Sequence, residues 1–204
     1  NHFAGNSSLT HGYTCLGAPT GTDTIDKFNF AAGSDATDVG NATAIAFYPS
    51  TASSSTYGYI CCGWGPHRTI IDKNSYASDG NSTDVGDPAV TQDHSAGTSS
   101  ETYGYDHGGT ERPSNAVSNV IQKYSFSSDG NASDIANLTL ASAACSGQSS
   151  GAYGYQAGGG ADTIEKYSHS SDADATDVGN LSRSNQYAAG TSSTLTVKLS
   201  LSVC

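Results

Sequence analysis

The sequence is poor in several residues on which most globular domains depend. Its 204 residues include no methionine, one tryptophan and only 13% charged side chains. No stretch approaches the roughly eighteen consecutive apolar residues of a transmembrane helix, and no long segment spaces its apolar residues helically. Short β-branched and aromatic runs separated by Gly, Asn, Asp and Ser instead predict an all-β fold.

Basic residues are scarce as well. Eight Lys and Arg stand against nineteen Asp and Glu, which gives a formal net charge of −11. Such a chain is repelled by phosphate backbones and anionic lipid surfaces, so we expect no nucleic-acid partner and no membrane insertion. The acidic surplus either keeps the surface soluble or attracts divalent cations. The chain starts inside what later copies show to be a repeat unit, which suggests a processed or partial chain.

Cysteines are few and odd in number, and no CxxC pair occurs. Full intramolecular pairing is therefore excluded, and the spacing argues against a zinc site. Free buried thiols and a single disulfide, with Cys15 near Cys61, both stay open. The five are Cys15, Cys61, Cys62, Cys145 and Cys204.

What the sequence does contain is an internal repeat. Tyr-Gly-Tyr, or His-Gly-Tyr in the first copy, recurs around Gly12, Gly58, Gly104 and Gly154, at intervals of 46, 46 and 50 residues. An Ile-x-Lys motif follows in each copy, and Asp-Val or Asp-Ile stands eleven residues past the lysine. A period of this length is typical of a stack or ring of equivalent units. The units are 1–43, 44–90, 91–139, 140–182 and a partial fifth, 183–204.

Each unit is predicted to contain four short strands joined by polar turns. In the first unit they are expected at 2–6, 10–15, 24–30 and around 37–39. Insertions fall in the loop after the glycine pair, as in 110–119.

This order of motifs resembles the kelch repeat, in which each copy forms one four-stranded blade of a β-propeller. Gly108-Gly109 and Gly158-Gly159 match the diglycine that ends the family's second strand, and Tyr124 and Tyr167 match the tyrosine of its third. The tryptophan expected near the fourth strand is absent. Its packing position falls to Val39, Val85, Ile135 and Val178.

The amino-acid sequence of the units is also similar to that of kelch-like repeat proteins of aquatic bacteriophages and marine bacteria, some of which are associated with tails or fibres. The resemblance implies a kelch-like β-propeller with four complete repeats and part of a fifth. It implies no particular activity, because propellers host many unrelated functions.

The acidic turns that close the units are candidate calcium sites. They place side-chain oxygens at alternating positions, which suits a hard cation, but they lack the bidentate Glu of a full calcium loop and are equally typical of Asx turns. The candidate ligands are Asp79, Asn81, Asp84, Asp129, Asn131, Asp134, Asp172, Asp174 and Asp177.

Asn-x-Ser/Thr sequons cluster in and beyond the same turns, and they predict a glycoprotein if the source glycosylates secreted proteins. They lie at Asn6, Asn41, Asn81, Asn131, Asn137 and Asn180.

Aromatic residues offer a second kind of site. Twelve tyrosines in a chain of small residues resemble a carbohydrate-binding surface, although their fixed repeat positions also suit core packing. Trp64, in a variable loop, is the most plausible exposed anchor. The six histidines are scattered over different repeat positions and match no catalytic motif, so no catalytic residue is assigned.

The C-terminal segment breaks the repeat pattern. It either completes a fifth blade or is donated to a neighbouring subunit. The strictly alternating apolar residues of this predicted assembly strand are Leu195, Val197, Leu199, Leu201 and Val203.

Taken together, the sequence predicts a non-enzymatic structural or adhesion protein at an extracellular or virion surface. It would self-associate or join other appendage subunits of a fibre or tail through its C-terminal strand. A secreted carbohydrate-binding module with a glycan ligand is the alternative, and a propeller enzyme is the second alternative. No cofactor is expected beyond structural calcium.

Overall fold

The computed structural model of the chain describes residues 4–17, 22–65, 69–190 and 192. Within these ranges the chain forms eighteen β-strands and no helix, and accordingly no helix there could cross a membrane. The all-β prediction is therefore confirmed for the described residues.

Four antiparallel sheets of four strands follow one another along the chain, each with its strands in sequence order. The first contains β1 (Ala4–Ser7), β2 (His11–Gly17), β3 (Thr22–Asn29) and β4 (Thr37–Asn41). The second contains β5 (Ser50–Ser53), β6 (Tyr57–Cys61), β7 (Ile71–Ser75) and β8 (Thr83–Asp84). The strands of the first sheet lie within a few residues of their predicted positions.

The third unit adds a two-stranded ribbon, in which β9 (Gln92–Asp93) pairs with β12 (Thr110–Glu111). The third sheet itself contains β10 (Ala96–Ser99), β11 (Tyr103–His107), β13 (Val120–Ser125) and β14 (Ser133–Asn137). The fourth contains β15 (Cys145–Ser149), β16 (Tyr153–Gly158), β17 (Thr163–Ser168) and β18 (Thr176–Asn180). Each sheet lies within one of the predicted units.

Consecutive sheets touch through their first strands, where small residues let two backbones approach closely. A Cβ added to Gly97 would lie 2.0 Å from the carbonyl oxygen of Thr51, and one added to Gly147 would lie 2.4 Å from that of Gly97. Side chains at these positions would force the sheets apart. The repeated small-residue segment is thus explained by sheet-to-sheet packing.

A ladder of serines joins the same strands. The backbone N–H of each first-strand serine donates to the hydroxyl of its equivalent in the next unit, over 2.7–3.1 Å. The series runs Ser7, Ser53, Ser99, Ser149 and Ser192. Its last rung places Ser192 as the start of a fifth unit beside the fourth sheet.

The hydrophobic core is divided among the three interfaces between sheets. In the third interface, Tyr105 and Ile121 of one sheet pack with Tyr167 and Ala175 of the next. The first and second interfaces repeat this arrangement, with Tyr13 and Tyr59 in the place of Tyr105. The prediction that Tyr59, Tyr105 and Tyr155 are core residues is confirmed for the first two, whereas Tyr155 is only partly buried.

Buried polar residues on the third strands hold the connections between units. Asp72 is fully buried and accepts hydrogen bonds from the backbone N–H and hydroxyl of Thr43, at 3.0 and 2.6 Å. Glu165 accepts from the N–H groups of Thr139 and Leu140 in the same way. These carboxylates therefore have partners that compensate for lost hydration.

The four cysteines in the described part of the chain, Cys15, Cys61, Cys62 and Cys145, are buried, and none of them forms a disulfide. The expectation of buried thiols is confirmed for them, and Cys204 lies outside the described residues.

Candidate interaction sites

The acidic turns connect neighbouring sheets. Asp79 Oδ1 lies 2.5 Å from the Nζ of Lys27, one sheet earlier, and Asp129 lies 2.6 Å from Lys73 in the same way. Asp172 repeats the contact with Lys123 at 2.5 Å. The lysine of each Ile-x-Lys motif thus pairs with an aspartate of the following unit.

Other oxygens of the turns also accept hydrogen bonds. Asn81 and Asn131 accept from backbone N–H groups of the preceding unit, and Asp174 does the same. Asp84 and Asp177 accept from the N–H groups two residues further on. The geometry therefore supports turns that bind adjacent sheets, and calcium, for these residues and for Asp134, stays a prediction.

The fourth sheet presents a face that the other three sheets bury. We call Tyr153, Tyr155, Ile164, Lys166 and Val178 the fourth-sheet face. Tyr155 and Ile164 are partly exposed, whereas the equivalent residues of the third sheet are 1% and 0% exposed. Val178 is 47% exposed, and its equivalents Val39, Val85 and Ile135 pack against the three clusters.

Lys166 completes this face. Among the described residues it makes no ion pair, and its Nζ lies 4.6 Å from the centroid of the Tyr153 ring. Lys123 makes the same contact with Tyr103 at 4.8 Å but also pairs with Asp172. The fourth-sheet face therefore carries the lysine of an ion pair between sheets, and no described residue supplies its aspartate.

The first sheet shows the opposite half of the interface. Phe28 and Phe30 occupy the positions of Tyr167 and His169, which cover the third sheet, and they are 39% and 56% exposed. Gly33 stands where the later turns carry their lysine-binding aspartate. No described residues cover either end of the series. The fourth sheet carries the lysine of the repeated ion pair at its end, and the first sheet lacks the aspartate at its own.

A groove next to Trp64 forms a separate site. The backbone of Trp64 exchanges two hydrogen bonds with Phe47, of 2.7 and 2.8 Å, and its side chain is 51% exposed. The groove encloses about 270 Å³. Its walls are formed by Gly63, Trp64, Gly65, Thr91, Arg112, Pro113 and Asn115.

The polar wall of this groove is fixed by a buried carboxylate. Asp93 is fully buried, and its Oδ2 accepts a hydrogen bond of 2.5 Å from Arg112 Nε. Its Oδ1 lies 2.5 Å from His94 Nδ1, and the ring of Tyr48 stacks on His94 at 3.5 Å. Arg112 also donates to Asn115. The groove therefore combines an exposed indole with polar groups held in place before a ligand arrives.

Sequence reasoning identified Trp64 but not Arg112 or Asn115. The only available indication was the insertion 110–119, because a loop that varies between repeats is where repeat proteins place binding residues. The role of Asp93 was not predictable from the sequence, because its contact with Arg112 depends on the pairing of β9 with β12.

The remaining predicted sites are distributed unevenly. Asn6 is 7% exposed, and its amide points to Cys15 Sγ at 3.8 Å, so a glycan has no room there. The other five sequons lie on exposed asparagines, at Asn41, Asn81, Asn131, Asn137 and Asn180. The predicted assembly strand, from Leu195 to Val203, lies outside the described residues.

Comparison with known proteins gives a fold and no family. No protein-family model matches the chain, and no curated protein matches it. A solved structure titled "Structure of YjhT" superposes with a TM-score of 0.71 at 10% sequence identity. The superposition covers 90% of this chain and 66% of that one. At this identity the similarity concerns the fold alone, so the resemblance to kelch repeats stays a prediction.

Proposed function

We propose that the protein is a kelch-like β-propeller repeat protein that serves as a non-enzymatic structural scaffold at an extracellular or virion surface. In this proposal the fourth-sheet face receives a further sheet of the same repeat type. The observation that carries the proposal is that Lys166 forms no ion pair with any described residue and lies beside the partly exposed Tyr155 and Ile164. The equivalent residues of the first three sheets are buried at the interfaces between sheets. Those interfaces define the contacts that a further sheet would make with the fourth-sheet face.

The occupant must supply two features. Its third strand carries two aromatic residues in alternate positions, as Tyr167 and His169 do over the third sheet. An aspartate stands six residues after its lysine position, as Asp172 does. The residues equivalent to its first strand already contact the fourth sheet, because Gly190 approaches Gly147 and Ser192 continues the serine ladder. Strands two to four of a fifth sheet therefore complete the interface.

Duplicating part of the chain tests this proposal. Residues 150–182 carry strands two to four of the fourth unit, and they would be appended after Ser192 in place of residues 193–204. We expect a higher urea midpoint than for the parent chain, because the appended sheet buries the fourth-sheet face. The same extension with Val178→Asp is the control, since a carboxylate within that interface would be desolvated without a partner.

Self-association of the parent chain is the second measurement. If neighbouring subunits supply the missing strands, sedimentation velocity will show association that increases with concentration and disappears in Val178→Asp. An unchanged urea midpoint in the extended chain, together with a monomer at all concentrations, would refute the scaffold proposal.

Carbohydrate binding at the Trp64 groove is a second candidate function. An exposed ring beside fixed amide and guanidinium groups suits a sugar, whose apolar face stacks on the ring while its hydroxyls form hydrogen bonds. Trp64 is the only tryptophan in the sequence, so intrinsic tryptophan fluorescence reports directly on this groove.

A glycan array followed by fluorescence titration tests the second candidate. On the array, binding should be lost in Trp64→Ala, which has no tryptophan left for the fluorescence titration. In the titration, binding should be weakened in Asn115→Ala and should persist in Leu9→Ala, which alters a side chain that is 94% exposed elsewhere. Binding that survives Trp64→Ala, or an array without any bound glycan, would exclude the groove as a carbohydrate site.

A further inference from the structure

Two adjacent thiols and a carboxylate meet in the interior between the second and third sheets. Cys61, Cys62 and Asp106 are each 0% exposed. The two sulfur atoms lie 3.2 Å apart, and Cys62 Sγ lies 3.4 Å from Asp106 Oδ2. One potential ligand atom from each of the three residues lies within 4.8 Å of the other two, and no other such group occurs among the residues that the structure describes.

The backbone at Cys62 brings the two sulfur atoms together. Successive side chains in a strand point to opposite faces, but β6 ends at Cys61 and Cys62 has a φ of 62°. The equivalent residues of the next two units are Gly108 and Gly158, with φ values of 63° and 79°. A cysteine thus stands where the next two units use glycine, in a conformation that residues with a Cβ disfavour.

Asp106 is the second indication of a ligand. Its Oδ1 is buried and makes no hydrogen bond, although the hydroxyls of Ser95 and Ser50 lie nearby. Buried carboxylates are normally paired or coordinate a metal. No lysine or arginine in the described part of the chain makes an ion pair with Asp106, whose Oδ2 contacts the sulfur of Cys62.

We propose that Cys61, Cys62 and Asp106 bind a thiophilic d¹⁰ metal ion, with Zn²⁺ as the ion that tests the site. Thiolate and carboxylate donors are those that zinc accepts, at about 2.3 Å for sulfur and about 2.0–2.2 Å for oxygen. These lengths place tetrahedral donors about 3.5–3.8 Å apart. The observed separation of Cys62 Sγ from Asp106 Oδ2 is close to this range, and the two sulfur atoms must move apart by about half an ångström.

Zinc binding requires both cysteines to lose their thiol protons, because the thiolate is the form of cysteine that ligates a metal. Binding replaces two thiol protons by Zn²⁺ and releases both protons to solvent, while the carboxylate becomes the third ligand. Affinity is therefore expected to fall as the pH falls.

Gln122 is placed to support the ligands. Its Nε2 donates to Asp106 Oδ2 at 2.8 Å and lies 3.7 Å from Cys62 Sγ. An amide that holds a ligating carboxylate fixes its orientation, as outer partners do in metal sites. Gln122 thus acts as a positioning residue for the site.

The sulfur separation also suggests a disulfide between the adjacent cysteines. A disulfide requires about 2.03–2.05 Å between the sulfur atoms and an external oxidant. It would leave the buried Asp106 carboxylate beside the two sulfur atoms without a role, whereas a cation uses all three side chains. The metal is therefore favoured, and the disulfide becomes an outcome of the test.

The test measures zinc retained after refolding, because the cluster is fully buried in the folded chain. The full chain is reduced, unfolded with a chelator, refolded with or without ZnCl₂, dialysed, and analysed by plasma mass spectrometry. We expect one zinc per chain and two protons released per zinc.

Two variants copy residues that the chain itself uses at equivalent positions. Cys62→Gly copies Gly108 and Gly158, and Cys61→Ala copies Ala157. Both are expected to fold, as circular dichroism will check, and to retain no zinc. Cys15→Ala is the matched control, because Cys15 is buried at the position of Cys61 in the first sheet, and it should still retain one zinc.

Two results would overturn the proposal. One is a wild-type zinc content no higher than that of Cys62→Gly. The other is a zinc-free aerobic protein that has lost two titratable thiols and two hydrogens in mass, which would establish the disulfide instead.

Discussion

The third and fourth sheets carry nearly the same motifs but have different surroundings. Tyr105 is 1% exposed and its ring stacks on His169 at 4.9 Å, whereas Tyr155 at the equivalent position is partly exposed. Lys123 forms an ion pair with Asp172, and Lys166 forms none among the described residues. The burial of the tyrosine and the ion pair of the lysine therefore both depend on contact with the following sheet. Other repeat proteins are likewise stabilised by the interfaces between their repeats.

Removing the equivalent tyrosine from each sheet is expected to give the largest difference. Tyr105→Ala empties a closed interface and should lower the free energy of unfolding by about 3–5 kcal/mol. Tyr155→Ala removes a ring that is still partly in water and should cost about 1–2 kcal/mol. Urea unfolding of both variants checks this, and equal losses would mean that the fourth sheet is as well covered as the third.

Glycine substitutions test the contact between first strands. Gly97→Ala places a Cβ 2.0 Å from the Thr51 carbonyl oxygen, so the two sheets must separate. We expect a loss of about 1–3 kcal/mol in unfolding free energy. Gly151→Ala is the control, because nothing lies within 4 Å of its added Cβ, and it should change stability by less than about 0.5 kcal/mol.

The third interface should also be sensitive to acid. Burial lowers the pKa of His107 from 6.5 to about 3, so the folded protein resists a proton that the unfolded chain accepts. Stability should therefore fall as the pH drops from 6.5 towards 3, by about 1.4 kcal/mol per pH unit from this group.

Asp106 acts in the opposite direction, because burial raises its pKa and its contribution is lost as the pH rises above 3.8. His107→Ala, which copies Ala157, isolates the histidine by changing the slope of stability against pH between 3 and 6.5. A slope identical to that of the parent chain would show that His107 does not titrate between the folded and unfolded states as proposed.

The ion pair between sheets should have the smallest effect. Lys123→Gln and Lys166→Gln both remove a lysine from above a tyrosine ring, at 4.8 and 4.6 Å, but only the first loses an aspartate partner. Because Asp172 is 53% exposed, the difference should be about 0.2–1 kcal/mol and should shrink with added salt. A larger loss of unfolding free energy in Lys166→Gln than in Lys123→Gln would contradict this difference between the third and fourth sheets.

Periodicity made the sheets predictable, because each strand pairs with neighbours in its own unit. The function of the acidic turns was not predictable from one unit: Asp79 has its partner Lys27 some fifty residues earlier, and only the packing of two sheets brings them together. The same holds for Asp106, which approaches Cys62 from a different sheet. The burial of Asn6 was likewise not predictable, because a sequon carries no information about burial.

The most direct test of the fourth-sheet face is a double-mutant cycle in the chain extended by residues 150–182 after Ser192. Its two positions are Lys166 and the appended copy of Asp172. We predict a coupling free energy of about 0.2–1 kcal/mol, equal to that of Lys123 with Asp172 in the same molecule. A coupling of zero at the new pair, with the internal pair still coupled, would contradict the proposal that this face receives a further sheet.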